Sequence, residues 1–116
     1  MSYKITRKNE AYTYEAPGHF DVRTTRLHDP KDVNQGGITM GLSHFLPGGG
    51  AGPDASPLEK VYVILSGEMT VIVDGKETVL NVMDSCTIPG GEVREIINRG
   101  NNVCSMLVVM PYPPKA

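Results

Sequence analysis

The side chains best suited to chemistry in this chain are a short run, Asp54, Ser56, Lys60 and Tyr62, and one residue far from it in sequence, Arg94. An arginine can hold a carboxylate or phosphate with two parallel hydrogen bonds. A lysine offers a compact charge or, when desolvated or set beside another cation, an amine able to act as base or nucleophile. Arg94 is therefore a candidate anchor for an acid, Lys60 and Tyr62 are candidates to move a proton, and Asp54 and Ser56 add a carboxylate and a hydroxyl. His44 is a further candidate: on the inner side of a strand it could pair with Asp54. An inert reading stands beside this one, in which Asp54 and Lys60 neutralise each other and Arg94 reaches solvent or pairs with Glu59 or Glu92. Such a buried pair is weak evidence even for stability.

The same residues sit in two spaced patterns. Gly48 is followed by Asp54, Ser56, Lys60 and Gly67, and Met83 by Pro89, Gly91, Arg94 and Asn98. Both spacings resemble the two motifs of the cupin family, and Tyr62 to Glu68, reading Tyr-Val-Ile-Leu-Ser-Gly-Glu, is similar to a segment typical of that family. The resemblance runs from about Ile38 to Met110. It implies a small β-barrel in which the first motif places two histidines and a glutamate, and the second a histidine, around one divalent ion. Here those positions hold Asp54, Ser56, Lys60 and Arg94. Transition metals need imidazole, thiolate or carboxylate lone pairs. Arginine stays protonated in proteins, and lysine must lose its proton before it can ligate. No metal or other cofactor is expected. Met83, at a glycine position of the second motif, suggests an altered backbone turn.

The elements that must position these residues are strands. From Ile38 to Leu46 the chain alternates, with Ile38, Met40, Leu42, His44 and Leu46 on one face, and the apolar face predicts the interior. Pro47 to Pro53 reads as a loop because of its glycines and prolines. Val61 to Val73 is rich in β-branched residues and interrupted at Ser66-Gly67-Glu68, which predicts two short strands or one bent strand. Asp74-Gly75 predicts a tight hairpin leading into Glu77 to Val82. Further strands follow at Asp84 to Ile88, Val93 to Asn98 and Val103 to Met110. On this parity Lys60, Tyr62 and Ile64 share one direction, as do Arg94, Ile96 and Asn98. The resemblance makes that direction inward. Ahead of residue 38 the one credible strand is Phe20 to Thr25. His19 and His28 fall in this less patterned region and are assigned no role.

Many short strands without a long helix leave edges to be managed, and closure manages them. The expectation is an all-β chain: a small antiparallel β-barrel, the double-stranded β-helix or jelly roll of cupins. It comprises an N-terminal strand or arm at 1–37, packing on the barrel or on a partner subunit, the barrel at 38–110, and a surface tail at 111–116. The methionines read as barrel packing that can also make a pocket adaptable.

A length of 116 residues suits one domain, and 40% hydrophobic content is ordinary for a globular protein. A net charge of −2 without a dense Lys/Arg run offers no footprint for nucleic acid or an anionic membrane. The chain has no apolar run of membrane-spanning length and no signal-like start, so a cytoplasmic protein is expected. Cys86 and Cys104 read as small apolar side chains rather than a disulfide. A homodimer is the default expectation, since small barrels of this kind resemble family members that pair through an outer sheet.

A pocket lined by Lys60, Arg94, Tyr62, Asp54, Ser56 and His44 would suit a small anion such as a carboxylate or sugar acid. The leading reading is a metal-free binding module for such a molecule. The alternative is a metal-free isomerase, epimerase or lyase, with Arg94 on the substrate carboxylate, Lys60 or Tyr62 moving a proton, and Asp54 or His44 assisting. A metal-dependent dioxygenase or isomerase follows from the resemblance alone.

Overall fold

The computed structural model describes residues 3–29 and 37–111. After a short 3-10 turn, Lys8–Glu10, the strands are β1 (Tyr12–Tyr14), β2 (His19–His28), β3 (Ile38–Asp54), β4 (Lys60–Ser66), β5 (Met69–Val73), β6 (Lys76–Leu80), β7 (Ser85–Ile88), β8 (Arg94–Ile97) and β9 (Cys104–Pro111). They form one antiparallel sheet in the order β6-β5-β8-β3-β9-β4-β7, with β2 added to β3 and β1 to β2. The sheet folds on itself because β3 belongs to both walls. Its first part pairs with β9, from Ile38 opposite Pro111 to Phe45 opposite Cys104, and its last part pairs with β8 through Gly50, Ala51 and Asp54. Between the walls lies a core that includes Phe45, Ile64, Met69, Val71, Ile96 and Met106. The described part of the N-terminal segment extends this barrel's own sheet: β1 lies on β2, and β2 runs along β3 from His28 opposite Met40 to His19 opposite Ala51. Of the expected tail, residues 112–116 lie outside the described residues.

Three expectations are corrected. First, Pro47 to Pro53 is not a loop; it continues β3 to Asp54. The glycines serve close backbone approach, as glycines inside strands often do. A side chain on Gly50 would run into the Ile96 carbonyl and one on Gly49 into that of Asp21, while Gly48, at φ +87°, turns the strand and donates its N–H to the Asn98 carbonyl at 2.7 Å.

Second, the inner face of β3 is the opposite one. Thr39, Ser43 and Phe45 are buried, whereas Ile38 and Leu46 are 45% and 53% exposed and Met40, Leu42 and His44 half-buried. The inward row carries Thr39, Gly41 and Ser43 to the cavity wall and only Phe45 to the apolar core, so hydrophobicity picked the wrong side.

Third, Met83 does not pack in the barrel. It adopts φ +70° in the left-handed region that a glycine would take freely, and its side chain is 73% exposed rather than packed in the barrel. The Asp74-Gly75 hairpin forms as expected, with both residues at positive φ (51° and 74°) as a primed turn requires.

Candidate functional site

A cavity of roughly 170 Å³ opens between the walls. Its cationic side is built by β4 and β8. On β4, Lys60, Tyr62 and Ile64 turn inward as strand parity requires, and on β8 Arg94 and Ile96 do the same. Lys60 is 7% exposed and Arg94 5%. Arg94 is held at two points: its Nε–H donates to the Tyr62 hydroxyl at 2.7 Å, and Nη1 donates to the Gly52 carbonyl at 3.0 Å. That fixes the plane of the guanidinium and leaves Nη2 with no hydrogen-bond partner among the described residues.

Electrostatics follow from this burial. The Lys60 ammonium is pushed below the usual lysine range, first by desolvation and then by the charge of Arg94, with Asp54 partly opposing. Burial raises the Tyr62 hydroxyl above the ordinary phenol range, and Arg94 works against that rise. Neither Lys60 nor Arg94 forms an ion pair with a described residue; the surface pair Arg99–Glu77 is the ion pair found among them. The neutralising arrangement expected of Asp54, Glu59 or Glu92 is therefore not what holds these cations.

The structure brings together Lys60, Tyr62 and Arg94 on the cavity wall, whereas the other candidates do not line it, although Asp54 stands opposite Arg94 in the β3–β8 pairing. Asp54 is exposed, and its Oδ1 accepts a hydrogen bond from the Ala55 N–H at 2.9 Å. Ser56 Oγ accepts from the Leu58 N–H at 3.1 Å. Both side chains shape the turn between β3 and β4 instead of lining the cavity. His44 lies on the outer face, with Nδ1 2.7 Å from Ser105 Oγ, so its pairing with Asp54 does not occur. The parity inversion of β3 is the reason.

What sequence reasoning missed comes from β1, β2 and the small inward residues of β3. His19, Thr24 and Arg26 line the cavity together with Tyr14, Thr39, Gly41 and Ser43. His19 reaches inward because the register of β2 shifts between Phe20 and Val22, around Asp21 at φ +51°. Such a bulge re-aims the side chains beyond it. Its ring stacks on Phe45, with centroids 6.4 Å apart and planes at 25°, and its Nδ1 lies 2.9 Å from the Pro17 carbonyl. Burial first, then the charges of Arg94 and Lys60, depress its pKa, against the opposing effects of Pro17 and Asp54. Arg26 packs its guanidinium over the Tyr14 ring at 4.5 Å. The available signal for this wall was the alternation of Val22, Thr24 and Arg26, the last of which lies one residue beyond the strand expected at Phe20 to Thr25.

Cys104 is buried with its thiol pushed up to about 11, and burial also raises Cys86. Both cysteines are free. A thiol in such surroundings is a poor nucleophile.

The donor chemistry does not fit a cupin metal. Three cationic side chains, Lys60, Arg94 and Arg26, and a tyrosine hydroxyl line the cavity, and among the described residues no three His, Cys, Asp or Glu side chains converge. No described helix is long and apolar enough to cross a membrane.

Comparison with known proteins agrees with the architecture. The sequence pattern of the cupin domain matches residues 41–110. The chain is 42% identical over 110 residues to a Mycobacterium tuberculosis protein named beta-D-galactosidase, covering 95% of both chains. Among solved structures it resembles the polyketide cyclase RemF of Streptomyces resistomycificus (TM-score 0.80, 21% identity, 97% of this chain and 83% of that one). It also resembles an RmlC-like cupin of Shewanella frigidimarina (TM-score 0.76, 17% identity, 98% and 95%). At such identities the structural likenesses establish fold alone. With its rolled antiparallel sheet, its two motif spacings and the match across most of the barrel, the chain belongs to the cupin family, as a small member lacking the usual metal ligands.

Proposed function

We propose that the barrel binds a small anionic carbohydrate derivative, a sugar acid or related carboxylate, with Arg94 and Lys60 taking the acid group. The observation that carries this reading is a pair of cations, 7% and 5% exposed, that face one cavity without a carboxylate in ion-pair contact among the described residues. A buried charge without a counter-charge costs several kcal/mol, and a bound anion offsets that cost. The free Nη2 of Arg94 and the unbonded ammonium of Lys60 are charged donors available to it. A thermal-shift panel pairing each sugar acid with its neutral parent tests the idea, because a ligand that binds the folded state raises Tm. D-Galacturonate and D-gluconate are expected to raise Tm while galactose and glucose do not. Equal responses, or none, would remove the reading.

The identity with the Mycobacterium tuberculosis protein favours a second reading, hydrolysis of a galactoside. Glycoside hydrolysis ordinarily uses two carboxyl groups flanking the bond, and no Asp or Glu is among the described residues lining this cavity. Proton transfer would fall to His19, Tyr62 and Lys60. Protein purified from a host without its own β-galactosidase should release nitrophenol from nitrophenyl β-D-galactoside and lose that activity in Tyr62→Phe. A wild-type protein that releases none would exclude this second reading.

A further inference from the structure

His19 is absent from both cupin motifs, and anchoring an acid on Lys60 and Arg94 makes no use of it. Its geometry is nevertheless that of a built acceptor. The Pro17 carbonyl can only accept, so the 2.9 Å contact requires a proton on Nδ1 and leaves the lone pair on Nε2. The stack on Phe45 fixes the ring plane, and turning the ring over would break the Pro17 bond. Nε2 itself has no hydrogen-bond partner among the described residues, although the ring lines the cavity.

Its neighbours in the cavity have the opposite character. Lys60 and Arg94 offer only N–H donors, and the Tyr62 hydroxyl, which accepts from Arg94 Nε, has its own proton left to give. A plain carboxylate would satisfy those donors and leave Nε2 empty. A ligand that also carries a hydroxyl close to its carboxylate would satisfy both. Burial, reinforced by Arg94 and Lys60, keeps the imidazole neutral near pH 7 and so preserves the lone pair.

We infer that the pocket selects 2-hydroxy acids of the aldonic type, the acid group lying on Lys60 and Arg94 and the adjacent hydroxyl donating to His19 Nε2. This rests on the acid-binding reading above and adds to it a specificity-determining residue on the bulged start of β2. The neutral histidine discriminates among acids; the two cations discriminate acids from neutral sugars.

Calorimetry with D-gluconate and 2-deoxy-D-gluconate separates the two levels, since the ligands share the carboxylate and differ at one hydroxyl. The wild-type protein should bind gluconate about five- to tenfold more tightly, the range expected for one net hydrogen bond. In His19→Phe, which keeps an aromatic ring on Phe45 without an acceptor, the ratio should fall to about one. Protein labelled with 15N-histidine provides a readout independent of that variant's folding: the His19 Nε2 signal should move on adding gluconate and stay in place with the deoxy acid. Equal affinities in the wild type, with an unmoved Nε2 signal, overturn this inference and leave the acid pocket intact. Failure of both acids to bind overturns the two together.

Discussion

Arg94 opens β8 and Arg99 lies just beyond its end, and the two meet opposite fates. Arg99 stands at the surface, 52% exposed, against Glu77 at 46%. Arg94 is buried with Lys60 beside it, and its partners are a hydroxyl and a carbonyl rather than a carboxylate. Carboxylates are close at hand, Glu92 two residues away in sequence and Asp54 opposite Arg94 in the β3–β8 pairing, yet neither forms an ion pair with it. The surface arginine has found the partner that sequence chance offers, whereas the cavity holds its charge open. An exposed pair contributes little. An open buried charge has a cost, and a ligand is what it can serve.

Substitutions can break this contrast, the largest effect being expected at Arg94. Arg94→Met should weaken gluconate binding about a hundredfold or more, because it removes a buried, oriented cation. It should also lower Tm, since the Tyr62 hydroxyl loses its 2.7 Å partner. Calorimetry and a melting curve measure the two effects. Lys60→Met should cost about tenfold or more in affinity, yet raise the Tm of the unliganded protein. Its ammonium has no hydrogen bond to lose among the described residues and is desolvated beside another cation. Opposite signs in Tm for these two variants are the signature of one cation held by the protein and one left for a ligand.

The pH dependence sharpens the picture further. His19 is held below its ordinary 6.5 by burial, Arg94 and Lys60, with Asp54 opposing. The unfolded chain therefore takes up this proton first, and stability from His19 should be lost as pH falls from 6.5 toward its lower folded value. A melting series over that window should show a shallower decline in His19→Phe. Glu77→Gln sits at the small end, with gluconate affinity unchanged and Tm scarcely moved.

Most of the barrel was legible because β4, β5, β8 and β9 carry strand-forming residues between unambiguous turns, and because Lys60 and Arg94 fall at positions whose parity is set by buried neighbours, Ile64 and Ile96. The reading failed on β3, for a physical reason. Strand alternation identifies two faces, and hydrophobicity names the inner one only when the interior is dry. Here the inward row brings the small residues Thr39, Gly41 and Ser43 to an open cavity, and the apolar row Ile38, Met40 and Leu42 faces outward, with His44 among it. The glycines of 48–50 read as a loop because close backbone approach and flexibility call for the same residue. His19 could not be placed because one bulge at Asp21 shifts the register of β2, and a bulge has no signature in hydrophobic pattern.

Calorimetric comparison of D-gluconate with its uncharged amide, D-gluconamide, addresses the open charge most directly, because the two differ chiefly in the group that Lys60 and Arg94 are placed to hold. The acid should bind the wild-type protein at least about tenfold more tightly, a gap of roughly 1.4 kcal/mol or more. Equal binding of acid and amide, or tighter binding of the amide, would contradict the anionic pocket.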